Sequence, residues 1–378
     1  MKFVLAPDKY KGSLTGQEFC NAVEKGIKKV FPKAAIVKLP LADGGDGTIE
    51  VVKNYLNADL IKLKVADPLF RSVVSSYLLS SDKKTAFIEM SEASGFKLLQ
   101  KNELNASETT TFGTGELIED ALNKGAQEII LGIGGSATND GGMGMASALG
   151  FEFLDSDGNT LSPVGKNLGK VAKIKKDSIH RRIAAVKVKV ASDVSNPFYG
   201  PNGAAHIYGP QKGASKSEIE ILDEGLKNFS KIILEDFDIN LQQIKGSGAA
   251  GGLGGGAVVF LNATLKSGIE LIKEIADFDN KIKDADWIIT GEGKLDLQTL
   301  SGKTIAGIVA SAKKKDIPVA ALCGLLDIPK KELQNTGILY AVGVSDGITD
   351  INIAYKDTSK NLEQAANYFA KLLFKKEN

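Results

Sequence analysis

Aspartates set among glycines at the end of a strand-like run are the first residues of this chain that could do chemistry. The stretch LADGGDGTIE, residues 41–50, places Asp43 and Asp46 between an apolar run and the first turn of a predicted helix. Gly44 and Gly45 permit positive φ angles or close backbone approach, and a carboxylate that only caps a helix needs no such pair beside it. The pattern raises the question of whether this turn is a binding site.

The same combination of glycine with an acid or a cation follows five predicted strands. Each one alone is an ordinary strand-end turn with a capping side chain. In open α/β sheets, however, ligands gather beyond the carboxyl ends of the strands, and carboxylates around a shared anion need a cation such as Mg²⁺ between them. The set therefore predicts phosphoryl transfer. Its members are Asp8 with Lys11, Asp43 with Asp46, Asn139 with Asp140, Asp193, and Glu292 with Asp296.

The richest of these turns lies in EIILGIGGSATNDGGMGMASALG, residues 128–150. A predicted strand leads into a glycine turn and then a helix, and the backbone amides of such a turn favour an anion. We expect phosphate or carboxylate there, with a simple capped turn as the alternative. The polar and glycine residues of this loop are Gly132, Gly134, Gly135, Ser136, Thr138, Asn139 and Asp140.

The same loop imitates a dinucleotide fingerprint, because Gly132, Gly134 and Ala137 follow a strand at the required spacing. An NAD(P)-dependent oxidoreductase that uses residues 132–137 is therefore one alternative, and a noncatalytic anion-binding protein is another. Against the oxidoreductase, the following Asp140 would repel a pyrophosphate, and two glycines would weaken the helix. A second imitation, of a P-loop, fails because position 297 is leucine.

Composition excludes several classes of function. A net charge of +1 offers no field for nucleic acid or a membrane surface, and we find no signal peptide or membrane span. Two distant cysteines in apolar stretches predict buried thiols and a cytoplasmic location. Two histidines leave little room for histidine-based metal sites or a serine triad.

Short apolar runs alternate with amphipathic stretches at both ends of the chain, which is typical of βα units around a parallel sheet. The segments 73–81 and 84–91 alternate with period two, as antiparallel strands do, and the glycine-dense segment 246–256 reads as a turn. We therefore predict an α/β fold of two α/β domains. A discontinuous, Rossmann-like doubly wound domain (1–64 and 285–378) carries an inserted mixed-sheet domain (65–284), with the active site in the cleft between them.

Eight ordered motifs resemble the type I glycerate kinase family, the bacterial glycerate 2-kinases. They are APDKYKGSL, ADGGDGT, TFGTGELI, GIGGSATNDGGMGMASALG, SDVSNPFYG, GPQKGA, GAAGGLGGG and ITGEGKLDLQT. The resemblance implies transfer of the γ-phosphoryl group of ATP to glycerate with Mg²⁺, giving 2-phosphoglycerate and ADP; a homodimer is left open. The chain departs from the family pattern at Lys9-Tyr10 (Ser-Phe in the family), Asp46 (Glu), Phe70 (Gly) and Ser192 (Cys).

Roles follow from the needs of phosphoryl transfer, which are positioning, charge neutralisation and a carboxylate for the hydroxyl proton. Four carboxylates compete for Mg²⁺ and for the role of base. Asp193 is the first choice for the base, and Arg71 is predicted to bind the substrate carboxylate because glycerate calls for a planar, two-pronged cation. The predicted residues are: catalytic, Asp193, Asp140 and Lys11; substrate-binding, Arg71, Ser13 and Asn139; phosphate- or nucleotide-binding, Gly12, Gly134, Gly135, Ser136, Thr138 and Gly291; metal-binding, Asp43 and Glu292.

Overall fold

The strands and helices below come from a computed structural model of the chain, which describes residues 1–10, 13–42, 48–296, 304–346 and 351–377. The strands are β1 Lys2–Leu5, β2 Ala35–Lys38, β3 Ala58–Ala66, β4 Ser72–Ser80, β5 Thr85–Glu89, β6 Glu128–Gly132, β7 Glu152–Leu154, β8 Lys173–Lys175, β9 Lys187–Ala191, β10 Thr264–Lys266, β11 Trp287–Thr290, β12 Lys294–Asp296, β13 Val319–Cys323, β14 Leu325–Asp327 and β15 Ile338–Gly343.

The helices are α1 Gly16–Lys28, α2 Thr48–Leu56, α3 Ser91–Ser94, α4 Phe112–Asn123, α5 Met143–Ala148, α6 Ala204–Tyr208, α7 Lys216–Phe237, α8 Leu253–Leu261, α9 Gly268–Ile275, α10 Phe278–Lys281, α11 Thr304–Lys313, α12 Lys330–Thr336 and α13 Ile351–Glu377. Short 3₁₀ turns lie at Phe96–Leu98, Lys101–Glu103, Gly165–Lys170, Pro210–Lys212 and Leu241–Gln243. Across the described ranges, none of these helices is long and apolar enough to span a bilayer.

The chain divides into two compact units, Met1–Val51 with Ile269–Asn378, and Val52–Gly268. The first unit joins the two ends of the chain. The predicted α/β fold class is confirmed, since both units carry sheets flanked by helices. The domain boundaries expected from the sequence, near 65 and 284, stay a prediction.

The sheet of the first unit is parallel throughout, with the order β15-β13-β11-β1-β2. In the chain order of this unit alone, that is the doubly wound order 2-1-3-4-5. The order reverses between β1 and β11, so the turns after these two strands flank a topological switch point. Ligands of open α/β sheets bind at such a point, beyond the carboxyl ends of the strands.

The sheet of the second unit is mixed, with the order β10-β9-β6-β5-β4-β3. Strand β4 is antiparallel to both β3 and β5, which confirms the predicted antiparallel pair at 73–91. Strands β5, β6, β9 and β10 are parallel. Strand β3 therefore runs in the same direction as these four, and the turn after it lies at the same edge as their carboxyl ends.

Helices α1 and α7 begin at sequences that predict a cap. Thr15 forms a capping box with Glu18 before α1, and Ser215 does the same with Glu218 before α7. The core of the second unit includes a cluster of phenylalanine rings on α7, on α8, on β7 and directly before β7, with neighbouring centroids 5.0–6.2 Å apart. Its rings belong to Phe151, Phe153, Phe229 and Phe260.

The prediction that residues 246–256 form a turn is wrong in its second half, where helix α8 begins at Leu253. Its three consecutive glycines lie in a buried helix because backbone packs directly against Gly254 and Gly256, and the Phe198 ring packs against Gly255. A Cβ atom on Gly256 would overlap the Gly141 carbonyl oxygen and lie 3.0 Å from Gly142 Cα. Close approach outweighs the weak helix propensity of glycine here.

Candidate functional site

The turns after β6 and β9 lie side by side in the second unit, because Gly132 pairs with Ala191 at the ends of these parallel strands. Gly134 and Gly135 follow β6, and both are exposed. A Cβ atom at Gly134 would meet no described atom within 4 Å, so packing does not require a glycine there. Gly135 has φ +71°, a conformation that favours glycine. This open turn exposes backbone where the sequence predicted an anion.

Asp140 lies at the N-terminus of α5, where the sequence predicted a bound anion. Its Oδ2 accepts hydrogen bonds from Thr111 N at 2.7 Å, Thr111 Oγ1 at 2.8 Å and Gly144 N at 3.1 Å. Its Oδ1 accepts from Gly142 N at 3.1 Å. Burial raises the pKa of this carboxyl, while these hydrogen bonds act in the opposite direction.

The chain's own carboxylate therefore caps α5, where a pyrophosphate would have to bind in an oxidoreductase. This disfavours the alternative based on residues 132–137. Asp140 is fully buried and supports the loop from inside. A direct catalytic role for it stays a prediction.

Lys212 is a functional candidate that the sequence analysis did not name individually, although it lies in the GPQKGA motif. Its side chain is 2% exposed, and Nζ donates to Ser136 Oγ at 2.8 Å and to the Thr138 carbonyl oxygen at 2.6 Å. Burial lowers the pKa of Lys212 to about 7, and the charge of Asp140 opposes that shift. The sequence analysis missed Lys212 because nothing in the sequence of this glycine-rich turn indicates that its lysine is buried.

Two other residues of the loop have buried polar atoms that lack partners within the described part of the chain. Asn139 is fully buried, and neither its Oδ1 nor its Nδ2 has a hydrogen-bond partner among the described residues. The buried Thr138 Oγ1 also lacks a partner among them. A buried polar group without a partner costs about 1–3 kcal/mol. The loop is therefore built to receive a water molecule or a ligand atom.

Asp193 lies at the adjacent strand end, two residues beyond β9. It is exposed, and its Oδ1 accepts a hydrogen bond from Gly268 N at 3.0 Å, which orients the carboxylate. Its position is compatible with the predicted role as a base, which stays a prediction.

The segment 246–252 packs against both of these turns. Gly141 N donates to the Gly251 carbonyl oxygen at 3.0 Å, and Gly248 N donates to that of Asn196 at 3.1 Å. A Cβ atom on Gly251 would lie 2.7 Å from Asn139 Cα. The glycine-dense motif thus fixes the loops that carry Asn139 and Asp193.

Arg71 follows β3 at the same edge of the sheet. Its guanidinium binds two carboxylates of the chain, with Nε 2.6 Å from Asp67 Oδ2 and Nη1 2.6 Å from Glu103 Oε1. The side chain remains 48% exposed. A substrate carboxylate would therefore join or replace these partners, and the predicted substrate contact stays a prediction.

Two residues at the carboxyl edge of the first unit are joined by a hydrogen bond that the sequence analysis missed. Thr304 Oγ1 donates to Asp8 Oδ2 at 2.6 Å, and Asp8 N donates to the Gly291 carbonyl oxygen at 2.9 Å. These contacts join the turn after β1 to α11 and to the turn after β11. Ser13 Oγ donates to Thr358 Oγ1 at 2.9 Å.

Gly291 serves close packing in the first unit. A Cβ atom there would lie 2.8 Å from both the Tyr10 hydroxyl oxygen and Phe19 Cε2, and it would overlap the Leu322 carbonyl oxygen. Tyr10 is buried and donates its hydroxyl hydrogen to that same carbonyl. The hydroxyl group that this chain adds to the family's Phe is thereby satisfied. The predicted phosphate contact of Gly291 stays a prediction.

Lys11, Gly12 and Asp43 lie outside the described residues, so the predicted contacts of these three rest on sequence. Glu292 is half-buried at the end of β11, beside the switch point. Among the described ranges no group of three or more His, Cys, Asp or Glu side chains is placed to hold a metal ion. A magnesium ion bound to phosphates needs just one or two protein carboxylates, so Glu292 fits that smaller requirement.

The chain is similar to known proteins over nearly its whole length. A model described as the glycerate kinase family matches residues 3–374. The chain is 43% identical over 367 residues to a glycerate kinase of Halalkalibacterium halodurans, covering 97% of each chain. It is 40% identical over 373 residues to the glycerate 2-kinase of Escherichia coli K12, covering 99% of this chain and 98% of that one.

The fold has a counterpart among solved structures. A crystal structure from Salmonella typhimurium LT2, described as a glycerate kinase 2, is 39% identical and superposes with a TM-score of 0.89. The match covers 100% of this chain and 99% of that one. Since a family model and several relatives match nearly the whole length, the resemblance seen in the sequence is confirmed, and this chain belongs to the glycerate kinase family.

Proposed function

We propose that this chain transfers the γ-phosphoryl group of ATP to the 2-hydroxyl of glycerate, giving 2-phosphoglycerate and ADP. Family membership supports the kinase activity, and the Escherichia coli relative named glycerate 2-kinase supports the position of transfer. A cytoplasmic location and a homodimer stay predictions.

One structural observation carries the proposal, and it is the arrangement after β6 and β9. The exposed turn at Gly134 and Gly135, the Ser136 hydroxyl and the Asp193 carboxylate lie on neighbouring strand ends, about 4.8 Å apart between strands. Backbone amides and a hydroxyl suit phosphate oxygens, and a carboxylate suits a substrate hydroxyl. Phosphoryl transfer needs donors for phosphate and an acceptor for a proton at the same place.

Asp193 supplies the acceptor in this proposal. The glycerate hydroxyl oxygen forms a bond to the γ-phosphorus as the bond from that phosphorus to the β–γ bridging oxygen breaks. The hydroxyl proton passes to the Asp193 carboxylate, which the Gly268 N–H holds in orientation. ADP leaves with the bridging oxygen.

A magnesium ion, when bound with the nucleotide, neutralises phosphate charge. We assign Glu292, two residues beyond β11, to hold it. Asp43 lies outside the described residues and is assigned to the same role on the sequence alone.

The test is a coupled assay of ADP release with glycerate and Mg-ATP, run beside lactate and glucose. We expect release that depends on glycerate. Absorbance change with NAD and no ADP release would instead indicate an oxidoreductase, and stabilisation by ligands without turnover would indicate an anion-binding protein.

The variant Asp193→Asn tests the base. We expect kcat to fall by about 10²–10⁴-fold with the fold intact, since that is the usual contribution of a general base. Asp177→Asn, at another exposed aspartate of the same unit, is the matched control and should leave kcat unchanged. Near-normal turnover by Asp193→Asn would remove this residue from the mechanism.

A further inference from the structure

Lys212 contacts two oxygens of the candidate phosphate loop from inside the second unit. Its ammonium donates to Ser136 Oγ at 2.8 Å and to the Thr138 carbonyl oxygen at 2.6 Å. With 2% of the residue exposed, Lys212 has no room to act as a solvated charge. Burying an ammonium costs several kcal/mol unless hydrogen bonds and a nearby carboxylate compensate. Asp140 is a carboxylate whose charge acts on Lys212.

The contact with Ser136 fixes the direction of a second hydrogen bond. In its ammonium form Lys212 has three donors and no acceptor, so Ser136 Oγ accepts in this contact. The hydroxyl hydrogen of Ser136 must then point away from Lys212. No hydrogen bond places an acceptor for that hydrogen among the described residues.

Ser136 also lies where a ligand can reach it. It is 7% exposed and directly follows the exposed Gly134 and Gly135. A hydroxyl that accepts from a cation is polarised and becomes a better donor to an anion.

We infer that Lys212 is a positioning residue of the kinase: it holds the Ser136 oxygen as an acceptor and thereby directs the hydroxyl hydrogen to an anionic oxygen of a bound ligand. That oxygen belongs to a nucleotide phosphate or to the glycerate carboxylate. The inference rests on the function proposed above and adds to it one residue and the direction of one hydrogen bond.

The experiment compares Ser136→Ala, Lys212→Met and the double variant with the wild-type chain. Methionine keeps the length of the lysine stem without its charge. Two matched controls are Ser147→Ala, whose hydroxyl donates to the Met143 carbonyl at 2.9 Å, and Lys166→Met, whose exposed ammonium pairs with Glu108. The measurements are kcat, KM for ATP, KM for glycerate, and the calorimetric Kd of ADP.

We expect Ser136→Ala and Lys212→Met each to weaken the same ligand by about tenfold, the size of one charge-assisted hydrogen bond. The double variant should bind that ligand with the same affinity as Ser136→Ala, because Lys212 acts through that hydroxyl. The controls should stay within twofold of wild type. A loss confined to ATP and ADP indicates a phosphate oxygen, and a loss confined to glycerate indicates the carboxylate.

Two results would overturn the inference. One is affinity within twofold of wild type for every ligand in Ser136→Ala, a result that decides the matter even if Lys212→Met does not fold. The other is a double variant that is about a hundredfold weaker, as independent residues would give. If the wild-type chain shows no turnover with glycerate, the proposed function fails, whereas ADP affinity still tests Lys212.

Discussion

Replacing Gly256 by alanine in α8 should have two effects of opposite sign on the free energy of unfolding. Alanine is the better helix former by about 1 kcal/mol, so propensity alone predicts a more stable chain. The added Cβ, however, would overlap the Gly141 carbonyl oxygen and lie 3.0 Å from Gly142 Cα. Two carbon atoms pack best at about 3.5–4.0 Å, so the loop backbone must move.

The packing effect should win, because the atoms in contact belong to backbone and cannot rotate away. Overpacking a core usually costs about 1–3 kcal/mol, and a backbone neighbour places this site at the upper end. After the gain in propensity, we expect a net loss of about 2 kcal/mol, which lowers the melting temperature by about 6 °C in a unit of this size.

Differential scanning calorimetry measures this change directly. Gly225→Ala is the matched control, because Gly225 lies within α7 and its Cβ would be 3.3 Å from Gly169 N and Leu168 Cβ. The control should remain within about 1 kcal/mol of wild type, since small adjustments and better propensity nearly cancel. If Gly256→Ala is as stable as wild type or more stable, α8 does not pack against the Gly141–Gly142 backbone as described.

Three further predictions concern single side chains. Arg71→Lys should raise KM for glycerate about tenfold and leave KM for ATP near wild type, because lysine lacks the planar, two-pronged donor; equal effects on both substrates in initial-rate assays would contradict this role. Phe70 has φ +61° and its ring lies 6.0 Å from that of Phe112, so Phe70→Gly should be about 1 kcal/mol more stable than Phe70→Ala in urea unfolding, since both lose the ring and glycine alone relieves the backbone. Burial lowers the pKa of Lys212 to about 7, so the unfolded chain binds this proton more tightly and stability rises with pH between about 7 and 10.5. Relative to Lys212→Met, the wild-type chain should gain about 2 kcal/mol from pH 7 to pH 9 in urea unfolding, and equal pH dependence of the two would show that burial does not lower the pKa of this amine.

The parallel sheet of the first unit was predictable because each of its strands is a short apolar run next to an amphipathic helix. Strand β3 was missed although ADLIKLKVA alternates, since it follows α2 without a turn signal. Residues 264–266 form β10 through pairing with β9, a contact between distant segments that no local pattern shows. The last helix begins at Ile351, in a stretch whose polar residues hide the helical period.

The candidate site was predictable as a set of strand-end turns, and less so in the roles of its side chains. Glycine turns with acids mark where ligands bind, but the sequence does not show which of these acids forms hydrogen bonds within the chain. Asp140 is used to cap α5, and that follows from hydrogen bonds to Thr111, Gly142 and Gly144 that no local pattern encodes. The burial of Lys212 likewise depends on contacts between segments distant in sequence.

The most direct test of the central claim is proton-coupled ³¹P NMR of the product formed from glycerate and Mg-ATP. Transfer to the 2-hydroxyl attaches phosphorus to a carbon with one hydrogen, so we predict a new phosphomonoester doublet that grows as ADP accumulates. A triplet would show transfer to the 3-hydroxyl and contradict the proposed product. The absence of any new phosphomonoester signal, while the same chain binds ATP, would contradict the kinase activity itself.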